Sequence, residues 1–146
     1  MFQSFEVTSE KSHGPDRVER LRATMAELNI DAFVVPHSDE YQNEYLPERA
    51  ERLAWLTGFT GSAGYAVILA DAAFVYTDGR YKLQVKDQTV ADVFETCDSM
   101  KTQGTYDINN WGKKAQRIGV DPWLHTMATA SQLRKDSDKQ GAEIIF

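Results

Sequence analysis

The sequence of 146 residues contains a single cysteine, Cys97, and no apolar run long enough to cross a bilayer. One cysteine excludes an intramolecular disulfide and is typical of a reducing compartment. The longest apolar run, Tyr65–Ala70, is far shorter than the roughly 20 residues that a membrane helix needs. The first ten residues have no basic segment followed by an apolar one, unlike a secretory signal peptide. We therefore expect a cytoplasmic protein with no membrane partner.

A basic patch and a low-complexity linker are also missing from the sequence. The 16 Lys and Arg residues are spread along the chain and are outnumbered by 22 Asp and Glu residues, which gives a net charge of −6 at pH 7. A surface of this sign repels phosphate backbones, so we expect no nucleic-acid partner. Internal repeats are absent, and 42% hydrophobic residues suffice for the core of a single domain over residues 1–146.

Hydrophobic periodicity predicts an alternation of helices and short strands. Residues 1–14 are polar and aperiodic, and we interpret them as a loose arm. Helices are predicted at 16–28, 48–56, 105–115 and 127–139, and strands at 31–36, 65–70, 73–77, 90–95, 117–121 and 143–146. A turn at 71–72 makes a hairpin of two strands, and 81–85 is either helical or extended. This pattern favours an α/β fold with a mixed β-sheet flanked by helices.

The segment between the first two predicted strands is polar and then amphipathic. Residues 37–47 are acidic and predict a surface loop. The helix that follows turns Leu53 and Leu56 inward and ends at Gly58. Because Trp55 lies between these leucines, the sequence predicts that its ring packs in the core.

Gly58, Gly61 and Gly64 form a glycine-rich segment that invites comparison with phosphate-binding loops. Their spacing matches neither the dinucleotide-binding pattern nor the Walker A pattern. Phosphate loops also run from a strand through the glycines to a helix, whereas the predicted order here is helix, glycines, strand. The sequence therefore favours a tight connection that needs positive φ and close backbone packing.

Metal-ligating residue types are concentrated in one stretch only. His37, Asp39, Glu40 and Glu44 lie close together in the polar loop. A histidine beside acids on such a loop is more typical of a solvated surface than of a metal site. We therefore predict no metal site in this chain.

Three acids and two potential nucleophiles leave other reactions to consider. Asp31, Asp78 and Asp121 each flank a predicted strand, and acids converging on one sheet edge would suit a Mg²⁺-dependent nuclease. Aspartate more commonly ends strands and begins turns, and the negative net charge also disfavours a nuclease. Ser62 lies outside the G-x-S-x-G motif, and Cys97 has no nucleophile signature and is more typical of a small buried residue. We assign no catalytic residue to this chain.

Arg80 has two interpretations. It follows Asp78 and Gly79 at the start of a possible helix, where a cation opposes the helix dipole. In the first, Asp78 caps the turn and partly neutralises the arginine. In the second, Arg80 projects from the strand end and binds a carboxylate or carbonyl in bidentate fashion, which lysine does poorly.

Four blocks in a fixed order resemble the Xaa-Pro aminopeptidases of peptidase family M24. They are Ser38–Arg52 with the run EYLP, Trp55–Gly64 (WLTGFTGSAG), Thr77–Gln84 with TDGRY, and Ile118–Pro122 (IGVDP). The resemblance covers nearly the whole chain. It implies a creatinase/prolidase-type N-terminal domain, with a mixed sheet of ribonuclease H-like topology.

The resemblance also implies that this chain is one part of a longer hydrolase. The "pita-bread" domain, which binds two divalent metals (commonly Mn²⁺) through two Asp, one His and two Glu, is absent from this chain, so the chain alone is expected to be inactive. The apolar ending Ile144–Phe146 likewise suggests a boundary inside a longer protein.

Enzymes of this family remove an N-terminal residue that precedes proline, so the implied substrate is a peptide with proline second. Their N-terminal domain is expected to support a homodimer and to restrict access to short peptides. The arginine of the D-G-R-Y block is expected to contact substrate, which carries onto Arg80; His37, Arg52, Phe59 and Tyr81 lie in or beside the blocks without an assigned role. The alternative is a stand-alone peptide- or protein-binding module of the same fold without catalysis.

Overall fold

The computed structural model describes residues 10–101 and 105–146, and these contain five α-helices and six β-strands. The helices are α1 (Gly14–Glu27), α2 (Arg52–Thr57), α3 (Lys82–Gln88), α4 (Ile108–Trp111) and α5 (Met127–Asp138). The strands are β1 (Ala32–Pro36), β2 (Gly64–Leu69), β3 (Ala73–Thr77), β4 (Glu95–Asp98), β5 (Arg117–Val120) and β6 (Glu143–Ile145). None of the helices in this part of the chain is long and apolar enough to cross a membrane.

The six strands form one mixed sheet in the order β4-β3-β2-β1-β5-β6. β2 is antiparallel to both of its neighbours, β1 and β3, and every other pair is parallel. Five strands therefore run in one direction, and their carboxyl ends share one edge of the sheet. We call this the carboxyl edge.

Each face of the sheet is covered by its own hydrophobic layer. Alternation along β1 assigns Val34 to one layer and Val35 to the other. Val35 packs with α1 and α2, which bury Val18 and Leu53, whereas Val34 packs with α4, where Trp111 is buried. Burying a large apolar side chain stabilises the fold by about 1.5–3 kcal/mol, so these layers hold the helices on the sheet.

The mixed α/β sheet and most predicted elements are confirmed. The predicted hairpin is β2–β3, the predicted helix 16–28 is α1, and Gly58 ends α2 with φ of 88°. The segment 81–85, for which the sequence left helical and extended structure open, is helical: Tyr81 ends a 3₁₀ turn and residues 82–85 belong to α3. Residues 1–9 of the predicted loose arm lie outside the described residues, and residues 11–13 form a 3₁₀ turn that leads into α1.

Two predictions about local structure are wrong. Residues 90–94 are not a strand: the N–H groups of Val93 and Phe94 donate to Val90 O at 3.0 and 2.9 Å, and the turn buries Phe94. Trp55 is not a core residue, because its side chain is 53% exposed. Positions three apart share a helix face, so Leu53 and Leu56 point inward together, and of the two residues between them Ala54 is buried while Trp55 points out.

Candidate functional site

The carboxyl edge gathers the loops that carry most of the singled-out residues. The loop 37–47 follows β1, residues 78–81 follow β3, and residues 121–126 follow β5. The loop after β1 is held by both of its neighbours, since His37 N donates to Gly64 O of β2 at 2.9 Å and Gln42 Nε2 donates to Leu124 O in the loop after β5 at 3.2 Å. Ligands of α/β sheets commonly bind outside the carboxyl ends of strands, so this edge is the candidate functional site.

Asp39 holds the loop 37–47 in shape. Its carboxylate accepts hydrogen bonds from Tyr41 N at 3.0 Å, Asn43 N at 2.9 Å and Asn43 Nδ2 at 2.8 Å. The bond from Asn43 N is the main reason that the pKa of Asp39 lies below its usual value. The loop is thus less of a surface element than its polarity predicts: Tyr41 and Tyr45 are exposed, but Asp39 is fully buried.

The remaining acidic residues of this loop do not converge on a metal site. Glu40 pairs with Arg49 at 2.9 Å, while His37 contacts Glu44 O through Nε2 at 3.0 Å. Within residues 10–101 and 105–146, no three His, Cys, Asp or Glu side chains are grouped as metal ligands. A dinuclear metal centre therefore does not fit the side chains of this part of the chain.

The glycine-rich segment provides close packing under the candidate site. A Cβ on Gly61 would lie 2.3 Å from the Phe59 ring and 3.0 Å from Tyr81, and one on Gly64 would lie 2.5 Å from Tyr76 O. The prediction of a tight connection with positive φ and close packing is confirmed: Gly58 has the positive φ, and Gly61 and Gly64 provide the close approaches.

The ring of Tyr81 is fixed by this segment. It packs edge-on against Phe59 with centroids 5.7 Å apart, and its hydroxyl lies 2.8 Å from Ser62 Oγ. Ser62 therefore serves as a hydrogen-bonding partner of Tyr81, and the segment positions the residue next to Arg80.

Arg80 lies in the 3₁₀ turn Gly79–Tyr81, and Asp78 caps that turn. Asp78 Oδ1 accepts from Arg80 N at 2.9 Å, while Arg80 Nη2 donates to Asp78 Oδ2 at 2.7 Å. This pairing lowers the pKa of Asp78 and raises that of Arg80. The guanidinium also lies 5.2 Å from the centroid of the Tyr81 ring. The capping interpretation is confirmed, and the side chain remains 63% exposed at the carboxyl edge.

The three strand-flanking acids do not meet. Asp78 and Asp121 lie at the carboxyl edge, and Asp121 caps its own turn by accepting from Trp123 N at 2.9 Å. Asp31 lies at the opposite edge, before β1, and accepts from Gln116 N and Arg117 N at 2.9 Å each. These three aspartates therefore do not converge on one edge of the sheet, as a two-metal nuclease would need.

Sequence reasoning missed one polar pair at this edge. Tyr106 OH lies 2.8 Å from His125 Nε2, and His125 Nδ1 lies 2.8 Å from Asp121 O. The pair links the segment before α4 to the loop after β5, and nothing in the spacing of Tyr106 and His125 indicates it. Trp123, in the same loop, is 75% exposed.

Comparison with known proteins agrees with this geometry. Residues 17–144 match the family described as creatinase/prolidase N-terminal domain. The chain is 36% identical to a probable Xaa-Pro aminopeptidase P from Neurospora crassa, over 97% of this chain but 22% of that protein. It thus spans about a fifth of the length of the curated relatives it matches.

Two solved structures share the fold at 25% identity. An X-prolyl aminopeptidase from Caenorhabditis elegans, described as a cytosolic enzyme with a di-nuclear active site, superposes with a TM-score of 0.76 over 90% of this chain and 23% of its own. The N-terminal domain of the cytoplasmic peptidase PepQ from Mycobacterium tuberculosis superposes with a TM-score of 0.70 over 89% of this chain and 91% of its own.

Proposed function

Because this chain belongs to the creatinase/prolidase N-terminal domain family, we propose that it is the non-catalytic N-terminal domain of a Xaa-Pro aminopeptidase. One observation carries the proposal: 97% of the chain aligns with only 22% of a Xaa-Pro aminopeptidase P relative. The whole protein would release the N-terminal residue before proline from short peptides. The described relative from Caenorhabditis elegans is cytosolic, which supports a cytoplasmic location for this protein too.

Catalysis belongs to a domain outside this chain in this proposal. Two divalent metal ions there, most simply Mn²⁺, would supply Lewis-acid chemistry. The described side chains of this chain do not form such a centre, so the contribution of this domain is to bind and to orient.

Arg80 is the residue proposed to contact the peptide substrate. Asp78 holds its Nε and Nη2 atoms, while Nη1 has no hydrogen-bond partner in the described part of the chain. A guanidinium fixed on one side offers its other side to a carbonyl or carboxylate with little loss of conformational entropy. Tyr81, locked by Phe59 and Ser62, keeps the arginine at the edge.

The same edge supports a role in oligomerisation and access. Tyr41, Tyr45 and Trp123 are 73%, 84% and 75% exposed. Exposed aromatic residues are typical of contact surfaces. We propose that they face the rest of the protein or a second subunit of a homodimer and narrow the path of peptides.

The proposal is tested by assaying this chain and the full-length parent with added Mn²⁺. The substrates are a peptide with proline second and a matched peptide with proline third. We expect turnover of the first peptide by the parent only. Turnover that copurifies with the isolated chain contradicts the non-catalytic role, and a parent without turnover favours the stand-alone peptide- or protein-binding module.

A further inference from the structure

A groove with a volume of about 400 Å³ lies between α1, α2 and the loop after β5, and Arg80 is not among its lining residues. Its apolar lining comes from both helices, from β1 and from the β5 loop. These side chains are Leu21, Phe33, Val35, Leu56 and Leu124. The exposed ring of Trp55 also lines the groove. The volume is at the lower end of the range for small-ligand sites, which suits a short ligand rather than a folded element.

The groove is positively charged although the chain as a whole is acidic. Arg17, Arg20 and Arg52 line it together with one acid, Asp121, which gives a local net charge of +2 in a chain of net charge −6. Sequence analysis found no basic patch, because these arginines lie on two helices far apart in sequence. The fold brings them to one apolar surface.

The three arginines differ in how far they are already paired. Arg17 is engaged, because it donates to Trp55 O and stacks 4.5 Å from the centroid of the Trp55 ring. Arg20 is exposed, and although its backbone carbonyl accepts from Thr24 Oγ1, its guanidinium has no hydrogen bond or ion pair in the described part of the chain. Arg52 has only a long contact, 4.0 Å between its Nη2 and Asp121 Oδ2.

Arg52 carries the strongest indication of a ligand site. The Arg52 side chain is 42% exposed, but its Nη1 atom is shielded from solvent and has no hydrogen-bond partner among the described residues. A buried donor without an acceptor loses its water without gaining a bond, and such groups are rare in folded proteins. Because Arg52 lines the groove, a ligand bound there could supply the acceptor that its Nη1 donor lacks.

We propose that this groove binds the carboxyl-terminal end of a short peptide whose last side chain is apolar. A carboxylate pairs with the fork of a guanidinium through two parallel hydrogen bonds, and Arg20 adds a second positive charge. The last side chain packs on the apolar lining and against Trp55. A plain phosphate would leave the apolar surface unused, and a neutral apolar ligand would leave Arg52 Nη1 without an acceptor. The site does not depend on the proposed peptidase function.

Titration calorimetry of this chain with N-acetyl-Leu-Phe and with its C-terminal amide tests the proposal. The two ligands differ only in the terminal charge, so we expect the acid to bind with at least about tenfold lower Kd. Arg52→Gln and Arg20→Gln should each remove most of this preference, because they weaken binding of the charged acid more than binding of the neutral amide. Arg49→Gln is the matched control, because Arg49 pairs with Glu40 and does not line the groove.

Four results overturn the proposal. The first two are equal Kd values for N-acetyl-Leu-Phe and its amide, and no binding of N-acetyl-Leu-Phe at millimolar concentration. The other two are binding of inorganic phosphate, or of N-acetyl-Asp-Leu-Phe-amide, that is as tight as binding of N-acetyl-Leu-Phe. Thermal unfolding of each arginine variant separates loss of the site from loss of the fold.

Discussion

Asp78 and Arg80 form an ion pair at the carboxyl end of β3. Asp78 Oδ1 lies 2.9 Å from the backbone nitrogen of Arg80, and Asp78 Oδ2 lies 2.7 Å from its Nη2. One carboxylate therefore caps the turn and orients the guanidinium that the same turn presents. Capping by Asp78 and substrate contact by Arg80 are compatible, because Arg80 Nη1 has no hydrogen-bond partner among residues 10–101 and 105–146.

Replacing Arg80 in the full-length parent tests the substrate contact. Arg80→Ala should lower kcat/KM for a Xaa-Pro peptide by about 10- to 100-fold, because a charge-assisted hydrogen bond to substrate is lost. Arg80→Lys should recover only part of the loss, since an ammonium cannot reproduce the fork. Arg49→Ala, which removes an exposed arginine paired with Glu40, should leave kcat/KM unchanged. Unaltered kinetics in Arg80→Ala would contradict the substrate contact and leave Arg80 with only its ion pair to Asp78.

The pairing of Asp78 and Arg80 at the carboxyl edge could be predicted from the sequence, whereas the groove could not. The TDGRY run gives the strand end, the cap and the arginine within five consecutive residues, so local rules suffice there. Arg17 and Arg52 meet only because α1 and α2 pack side by side on the sheet. Contacts between distant segments depend on the tertiary fold and leave no local pattern. The prediction that Trp55 packs in the core is wrong for a related reason. Its sequence neighbours are apolar, but the helix face that carries Trp55 does not pack on the sheet.

The loop 37–47 shows a second limit. Its acidic composition predicts solvation, but Asp39 is buried because backbone N–H groups of the same loop need an acceptor. The spacing of Asp39 to Tyr41 and Asn43 is compatible with an Asx turn, yet composition alone does not distinguish the capping acid from the solvated ones.

Gly61→Ala should destabilise the isolated chain by about 1–3 kcal/mol in urea unfolding, because the new methyl group overpacks the Phe59 ring. Gly79→Ala is the matched control, since a Cβ at Gly79 meets nothing within 4 Å. The free energy of unfolding of Gly79→Ala should stay within about 0.5 kcal/mol of that of the unsubstituted chain. If the two variants are equally stable, the glycine segment is not packed as described, and the positioning of Tyr81 by Phe59 is wrong.

Cys97 should react slowly with a disulfide reagent in the native chain. Burial raises the pKa of its thiol, and the nearby carboxylate of Glu95 adds to the shift, so little thiolate is present near pH 7.5. We expect modification by Ellman's reagent to be at least about tenfold slower in the native chain than in urea. Glu95→Gln should speed the native reaction modestly by removing the negative charge. A native rate equal to that of the unfolded chain would contradict the packing of Cys97 against the core.

Asp39→Asn should lower the Tm of the chain by roughly 4 °C or more at pH 7, because the amide keeps one acceptor oxygen but presents an NH₂ group to Asn43 Nδ2. The pKa of Asp39 is lowered in the folded chain, chiefly by the hydrogen bond from Asn43 N. Its stabilising effect is therefore fully present above the unfolded-state pKa of about 3.9 and is lost as the pH falls through the lower folded-state value.

The difference in Tm between the unsubstituted chain and Asp39→Asn should accordingly be constant from pH 7 to about pH 5 and shrink in more acidic solution. Asn43→Ala keeps its backbone N–H and loses only the side-chain donor, so it should show a smaller loss of the same sign. A Tm difference that grows as the pH falls would mean that Asp39 is protonated in the folded chain. That result would contradict the ionised carboxylate that accepts the hydrogen bonds from Tyr41 and Asn43, because a neutral carboxyl group would then hold the loop.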